Sequence, residues 1–121
     1  MKSILVVDDE QDIILALKIL LAEEGYEIFT AHNGREALER LAEKIPDIML
    51  IDVMMPILSG PETIVRMRAD AGYANIPVVV MSAIKPKADL DKLKVGAFIR
   101  KPFEIELLLQ TLDQVLAEKK K

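Results

Sequence analysis

A chain of 121 residues is the length of one domain, and with 51% hydrophobic residues but only 4% aromatics its core must be filled by aliphatic side chains and methionine. The absence of cysteine excludes disulfides and thiol catalysis, no apolar run approaches the roughly 20 residues of a membrane span, and the N-terminus does not read as a signal peptide, so a cytoplasmic protein without membrane insertion is expected. The net charge of −4 is uneven: residues 1–60 carry 12 acidic and 5 basic side chains, residues 61–121 carry 8 and 11. That balance argues against the domain holding nucleic acid directly, and leaves the cationic stretch Lys85–Lys101 as a solvated face or a dock for an acidic partner.

The first segment, "SILVVD" (3–8), is a nearly continuous apolar run that ends in acids. Residues 13–24 follow at helical spacing, with Ile13, Leu17, Leu20 and Leu21 on one face. "YEIFTA" (26–31) alternates, which suits a sheet edge, and residues 34–45 are helical through Ala37, Leu38, Leu41, Ala42 and Ile45. "DIMLID" (47–52) is the next buried strand, and Pro61 after Gly60 suits the first position of a helix that runs through Ile64 and Met67. "IPVVVMS" (76–82) is a third buried strand. Residues 87–94 form a weak helical segment with only Leu90 and Leu93 periodic, and "AFIR" (97–100) is a short fifth strand. The last helix is strong, through Ile105, Leu108, Leu109, Leu112, Val115 and Leu116. Strand and helix thus alternate five times. This predicts an α/β domain with a doubly wound five-stranded parallel sheet, order 2-1-3-4-5, and five helices of which the fourth is short or irregular.

In such a sheet, ligands gather at the carboxyl ends of the strands. Asp8, Asp9 and Glu10 end the first strand, Asp52 the third, Ser82 the fourth, and Lys101 with Pro102 the fifth. Asp9 can be read as a helix N-cap, with Asp12 in the first turn. That does not account for Asp8 and Asp52 at the same edge. Three carboxylates about 5 Å apart would repel by roughly 3 kcal/mol per pair at an effective dielectric near 20. A hard divalent cation relieves the repulsion, and an all-oxygen ligand set favours Mg²⁺ over a transition metal. His32, after the second strand, reads as surface structure. With a metal and Lys101 beside it, Asp52 can act as a nucleophile toward phosphorus, with Lys101 and the Ser82 hydroxyl on the phosphoryl oxygens.

The pieces "ILVVDDE", "AHNGREAL" (31–38), "PDIMLIDVMMPILSG" (46–60), "IPVVVMSA" (76–83) and "KPF" (101–103) together resemble the receiver domain of bacterial two-component response regulators, across essentially the whole chain. The resemblance implies a single flavodoxin-like receiver domain over residues 1–121, with any output domain outside this sequence. It implies that Asp52 accepts a phosphoryl group from a histidine kinase or histidine phosphotransfer protein. Asp8, Asp9, Asp52 and the backbone carbonyl of Met54 would hold Mg²⁺, and Ser82 and Lys101 would be the hydroxyl and lysine of the site, with a cis Lys101–Pro102 bond. Phe98 would turn inward behind Ser82, relaying phosphorylation to the face formed by the fourth helix, fifth strand and fifth helix. Partner choice would lie on the first helix, around Ile14 to Leu21.

Two departures bear on function. Only 18 residues separate Ser82 from Lys101, so the fourth helix is expected to be truncated and no dimer mode carries over. Two beyond Asp52 and two beyond Ser82 stand Met54 and Ile84, neither able to orient water, so a long-lived phosphorylated form is expected. The chain is expected to be no enzyme beyond its own phosphorylation and dephosphorylation. A haloacid-dehalogenase-like phosphatase would need a second Asp where Met54 stands, and a flavin carrier would need a Ser/Thr/Gly-rich loop after the first strand. A phosphorylation-independent interaction domain of the same fold is the alternative.

Overall fold

The structure, a computed structural model, describes residues 2–84 and 90–119. Five strands, β1 (Ser3–Val7), β2 (Glu27–Ala31), β3 (Ile48–Asp52), β4 (Val78–Ser82) and β5 (Ala97–Arg100), form one parallel sheet in the order β2-β1-β3-β4-β5. The three apolar runs became β1, β3 and β4, buried along their whole length. Because strand side chains alternate, each run feeds two cores. Ile4, Val6, Ile48, Leu50, Val79 and Met81 pack under helices α1 (Gln11–Glu23) and α4 (Ile105–Lys119). Leu5, Val7, Met49, Ile51, Val78 and Val80 pack under α2 (Gly34–Glu43) and α3 (Gly60–Ala69). A run apolar at every position is therefore a strand covered on both faces.

Local chemistry fixes the joints. The Asn33 side chain accepts from the Glu36 amide (2.8 Å) to cap α2, and Ser59 with Glu62 forms a capping box ahead of Pro61 on α3. At the amino edge of the sheet, Asp47 Oδ2 accepts from the Ser3 amide (2.8 Å) while the Asp47 amide donates to Ser3 Oγ (3.1 Å), tying β1 to β3. Gly34 lets α2 approach α3: a Cβ there would run into Thr63 Oγ1 and lie 2.7 Å from the Leu58 carbonyl. The outer edge, β2, is guarded by cations. Arg40 Nε donates to the Thr30 carbonyl (3.3 Å), and Lys44 sits over the Phe29 ring and 2.8 Å from Glu27.

Several expectations need correction. Four helices, not five, occur among the described residues: 90–94 are turn, and 85–89, including part of the Lys85–Lys101 cationic stretch, lie outside them. The turn stops because Val95 N returns to the Leu90 carbonyl and Lys94 N to that of Asp91, with Lys94 at φ 55°, a helix-ending geometry. The Arg68 guanidinium then takes up the Leu93 and Lys94 carbonyls (2.9 and 3.2 Å) together with those of Ala74 and Ile76 (3.0 and 2.8 Å). The N-cap of α1 is Glu10, not Asp9. Asp8 accepts the Glu10 amide (2.9 Å), a local turn that starts the helix one residue later. On α1 it is Ile14, Leu17 and Leu21 that are buried, and Leu20 is exposed.

Candidate functional site

The register brings the strand ends together as the order requires. Val7 faces Ile51, so Asp8 and Asp52 emerge side by side from the two central strands. Both are buried, Asp8 completely. Lys101 reaches them from the end of β5: its Nζ lies 2.7 Å from Asp8 Oδ2, 3.5 Å from Asp52 Oδ2 and 3.7 Å from Glu10 Oε1. The Lys101 amide donates to the Ser82 carbonyl (2.8 Å), and the Lys101–Pro102 bond is cis. Each remaining oxygen has work: Asp8 Oδ1 accepts from the Glu10 amide and Asp52 Oδ1 from that of Val53, both at 2.9 Å.

The charges respond to this crowding. Burial, and then the Asp8 carboxylate, push Asp52 above the ordinary carboxylate range, against the pull of Lys101 and the Val53 amide. Burial alone would lower Lys101, but its hydrogen bond to Asp8 and the charges of Asp8, Asp52 and Glu10 outweigh this and hold it above its usual value. Lys101 is thus a firmly charged ammonium beside a carboxylate that ionises reluctantly.

Asp8, Asp9, Glu10 and Asp52 each bring an oxygen within 4.8 Å of the others, a hard donor set that fits a small divalent cation. Glu10 was not among the ligands expected. Asp9 and Glu10 are exposed on the solvent side of the cluster and Asp8 and Asp52 line its floor. Ser82 is buried at the end of β4, its Oγ accepting from the Ile84 amide (3.3 Å). Met54 and Ile84 stand exposed beside these positions. Phe98 lies half-buried on β5 opposite Val80, against the α2–α3 core.

Gly60 is a positioning residue that the sequence marked only as a helix start. A Cβ there would run into the Asp52 carbonyl oxygen, so only glycine lets α3 begin against the back of Asp52. On the α1 side, an apolar groove of about 500 Å³ leads away from Glu10 and Lys101 between Ile13, Leu20, Phe103 and Ile105.

A family model described as "Response regulator receiver domain" matches residues 4–113. The chain belongs to that family. The receiver domain is 30% identical over 120 residues to the polar-differentiation response regulator DivK of Brucella anthropi, covering 97% of this chain and 98% of DivK. It is 36% identical over 115 residues to the transcriptional regulatory protein KdpE of Mycobacterium tuberculosis, covering 93% of this chain but only 50% of KdpE. Among solved structures, the response regulator protein TrrA of Thermotoga maritima, in complex with Mg(2+)-BeF, matches with a TM-score of 0.85 at 34% identity, over 95% of the receiver domain and 99% of TrrA. The chemotaxis response regulator CheY4 of Vibrio cholerae matches with a TM-score of 0.89 at 31% identity, over 95% and 98%. No helix among the described residues is long and apolar enough to cross a membrane.

Proposed function

We propose that this receiver domain is a cytoplasmic phosphorylation switch whose acceptor is Asp52 and whose donor is the phosphohistidine of a histidine kinase or histidine phosphotransfer protein. The observation that carries this reading is the buried cluster in which Lys101 bridges Asp8 and Asp52 at 2.7 and 3.5 Å. An Asp52 oxygen attacks phosphorus, the P–N bond breaks, and its electron pair returns to the imidazole nitrogen, which leaves neutral because the other ring nitrogen holds a proton. Lys101 then transfers its hydrogen bonding to a phosphoryl oxygen and the Ser82 hydroxyl donates to another. Asp8, Asp9, Asp52 and the Met54 carbonyl would hold Mg²⁺, which when bound would neutralise charge on the phosphoryl group. Loss of phosphate is attack by water on the same phosphorus, and these two steps are the domain's only chemistry.

Movement of Ser82 toward the phosphoryl group vacates space behind it that Phe98 enters, shifting the population of packings on the face formed by the 90–94 turn, β5 and the last helix, α4. A downstream target or an output domain reads that face. The donor docks along α1, around Ile14 to Leu21, beside the apolar groove lined by Ile13, Ala16 and Leu20. Met54 and Ile84 offer no hydrogen bond to an attacking water, so the phosphorylated state is long-lived. Replacing Met54 by Asn or Glu speeds phosphate loss; an unchanged or slower rate rules this out.

The test is intact-protein mass after incubation with acetyl phosphate, with and without Mg²⁺, on wild type and Asp52→Asn. A Mg²⁺-dependent gain of one phosphoryl group, lost in the variant, is expected. No gain under conditions that label another receiver domain would leave a phosphorylation-independent interaction domain as the reading.

A further inference from the structure

One half-buried charge has no part in the chemistry above. Arg68 lies near the end of α3, and its guanidinium is divided between two stretches of backbone. Nη1 donates to the carbonyls of Ala74 (3.0 Å) and Ile76 (2.8 Å), in the link that leads into β4. Nε and Nη2, the side edge of the fork, donate to the consecutive carbonyls of Leu93 (2.9 Å) and Lys94 (3.2 Å) in the 90–94 turn. The two stretches differ in firmness. Ile76 is buried and runs on into β4, which is buried along its whole length. In the turn, Asp91, Lys92 and Lys94 are exposed, and Lys94 adopts the left-handed conformation. Burial pulls the guanidinium below its usual pKa, a desolvation cost that the carbonyl oxygens offset.

The turn shares its packing with the residue that relays the switch. Leu90, Leu93, Val95 and Phe98 are all half-buried against the α2–α3 core. Entry of Phe98 into the space behind Ser82 therefore repacks the turn, and the Leu93 and Lys94 carbonyls move with it. Nη1 can stay on Ala74 and Ile76 meanwhile, and Nε and Nη2 then meet solvent beside the exposed Lys94, so neither packing strands the charge. We infer that Arg68 is a positioning residue for the switch, a latch whose side edge holds the 90–94 turn in the unphosphorylated packing and releases it when Phe98 moves. The inference rests on the phosphorylation of Asp52 and on the Phe98 relay proposed above. Bonds made in only one of two packings favour that packing, so the latch must weaken the binding of anything that selects the other.

The probe is beryllofluoride with Mg²⁺, a phosphoryl analogue that forms on an acceptor carboxylate without a protein donor. In wild type, the Arg68 Nε–H resonance should be protected from solvent exchange in the free domain and exchange about fivefold faster once the analogue is bound. Arg68→Lys keeps the charge but cannot fork, so its apparent affinity for the analogue, read by titration calorimetry, should rise about fivefold while Tm falls. Ser3→Ala loosens the tie between β1 and β3 at the far edge of the sheet, and should lower Tm with no change in that affinity. Unchanged protection of the Nε–H would overturn the inference. So would an Arg68→Lys affinity no higher than wild type, or an equal gain in Ser3→Ala; either would leave Arg68 a structural clamp. Failure of the analogue to bind the wild type would remove the phosphorylation reading itself, and the latch with it.

Discussion

Asp52 is held above the ordinary carboxylate range by burial first and by Asp8 second, so the folded domain binds its proton more readily than the unfolded chain does. As pH rises from the unfolded value through the folded one, the folded state must ionise a group it disfavours, and stability is lost. Without metal, Asp52→Asn should therefore melt above wild type at neutral pH. The gain should vanish below about pH 3, where the carboxyl is protonated in both states; calorimetry across pH reads this directly. A variant no more stable at pH 7 would mean that Lys101 fully compensates the charge. Arg68 works in the other direction. Its guanidinium satisfies four carbonyls from two segments, and Arg68→Met strands them, at a cost of about 3 kcal/mol in urea unfolding. Arg68→Lys should recover only part, because a point charge cannot fork.

At the scale of elements, the close approach of α2 to α3 makes Gly34 the joint to test. Gly34→Ala should cost about 1–3 kcal/mol, measured by denaturant unfolding, because Thr63 and the Leu58 carbonyl occupy the space a methyl needs. The sequence disclosed where strands and helices run, since continuous apolar runs such as Val78–Ser82 and helical spacing are local signals. The assembly of Asp8, Asp52, Ser82 and Lys101 was equally legible, because parallel topology carries all strand ends to one edge. What stayed hidden depends on distant backbone. Nothing local marks Arg68 as partner to carbonyls up to 26 residues away, or Gly34 as the contact of Thr63. The segment 87–94 read as weak helix because Leu90 and Leu93 keep the spacing, but along 90–94 the chain turns instead, to meet β5 at Ala97.

For the whole molecule, the cation and the fold are linked. If Asp8, Asp9 and Asp52 hold Mg²⁺ only when folded, Mg²⁺ at a hundred times its dissociation constant should add about 2.7 kcal/mol and raise Tm by several degrees. Asp9→Asn should abolish most of that rise without lowering Tm in EDTA, since Asp9 is exposed and does not cap α1. A shift retained in Asp9→Asn would point to Asp8, Asp52 and Glu10 as sufficient ligands. The strand order also distributes rigidity. Asp8 and Asp52 end β1 and β3, strands with neighbours on both sides, while β5 has four residues, one neighbour, and an entry held by Arg68. Backbone amides should therefore exchange with deuterated solvent first along β5 and the 90–94 turn, and last in β1 and β3. On that outcome Asp52 would be anchored where the sheet opens least often, and the strand that carries Phe98 would belong to the part that opens most.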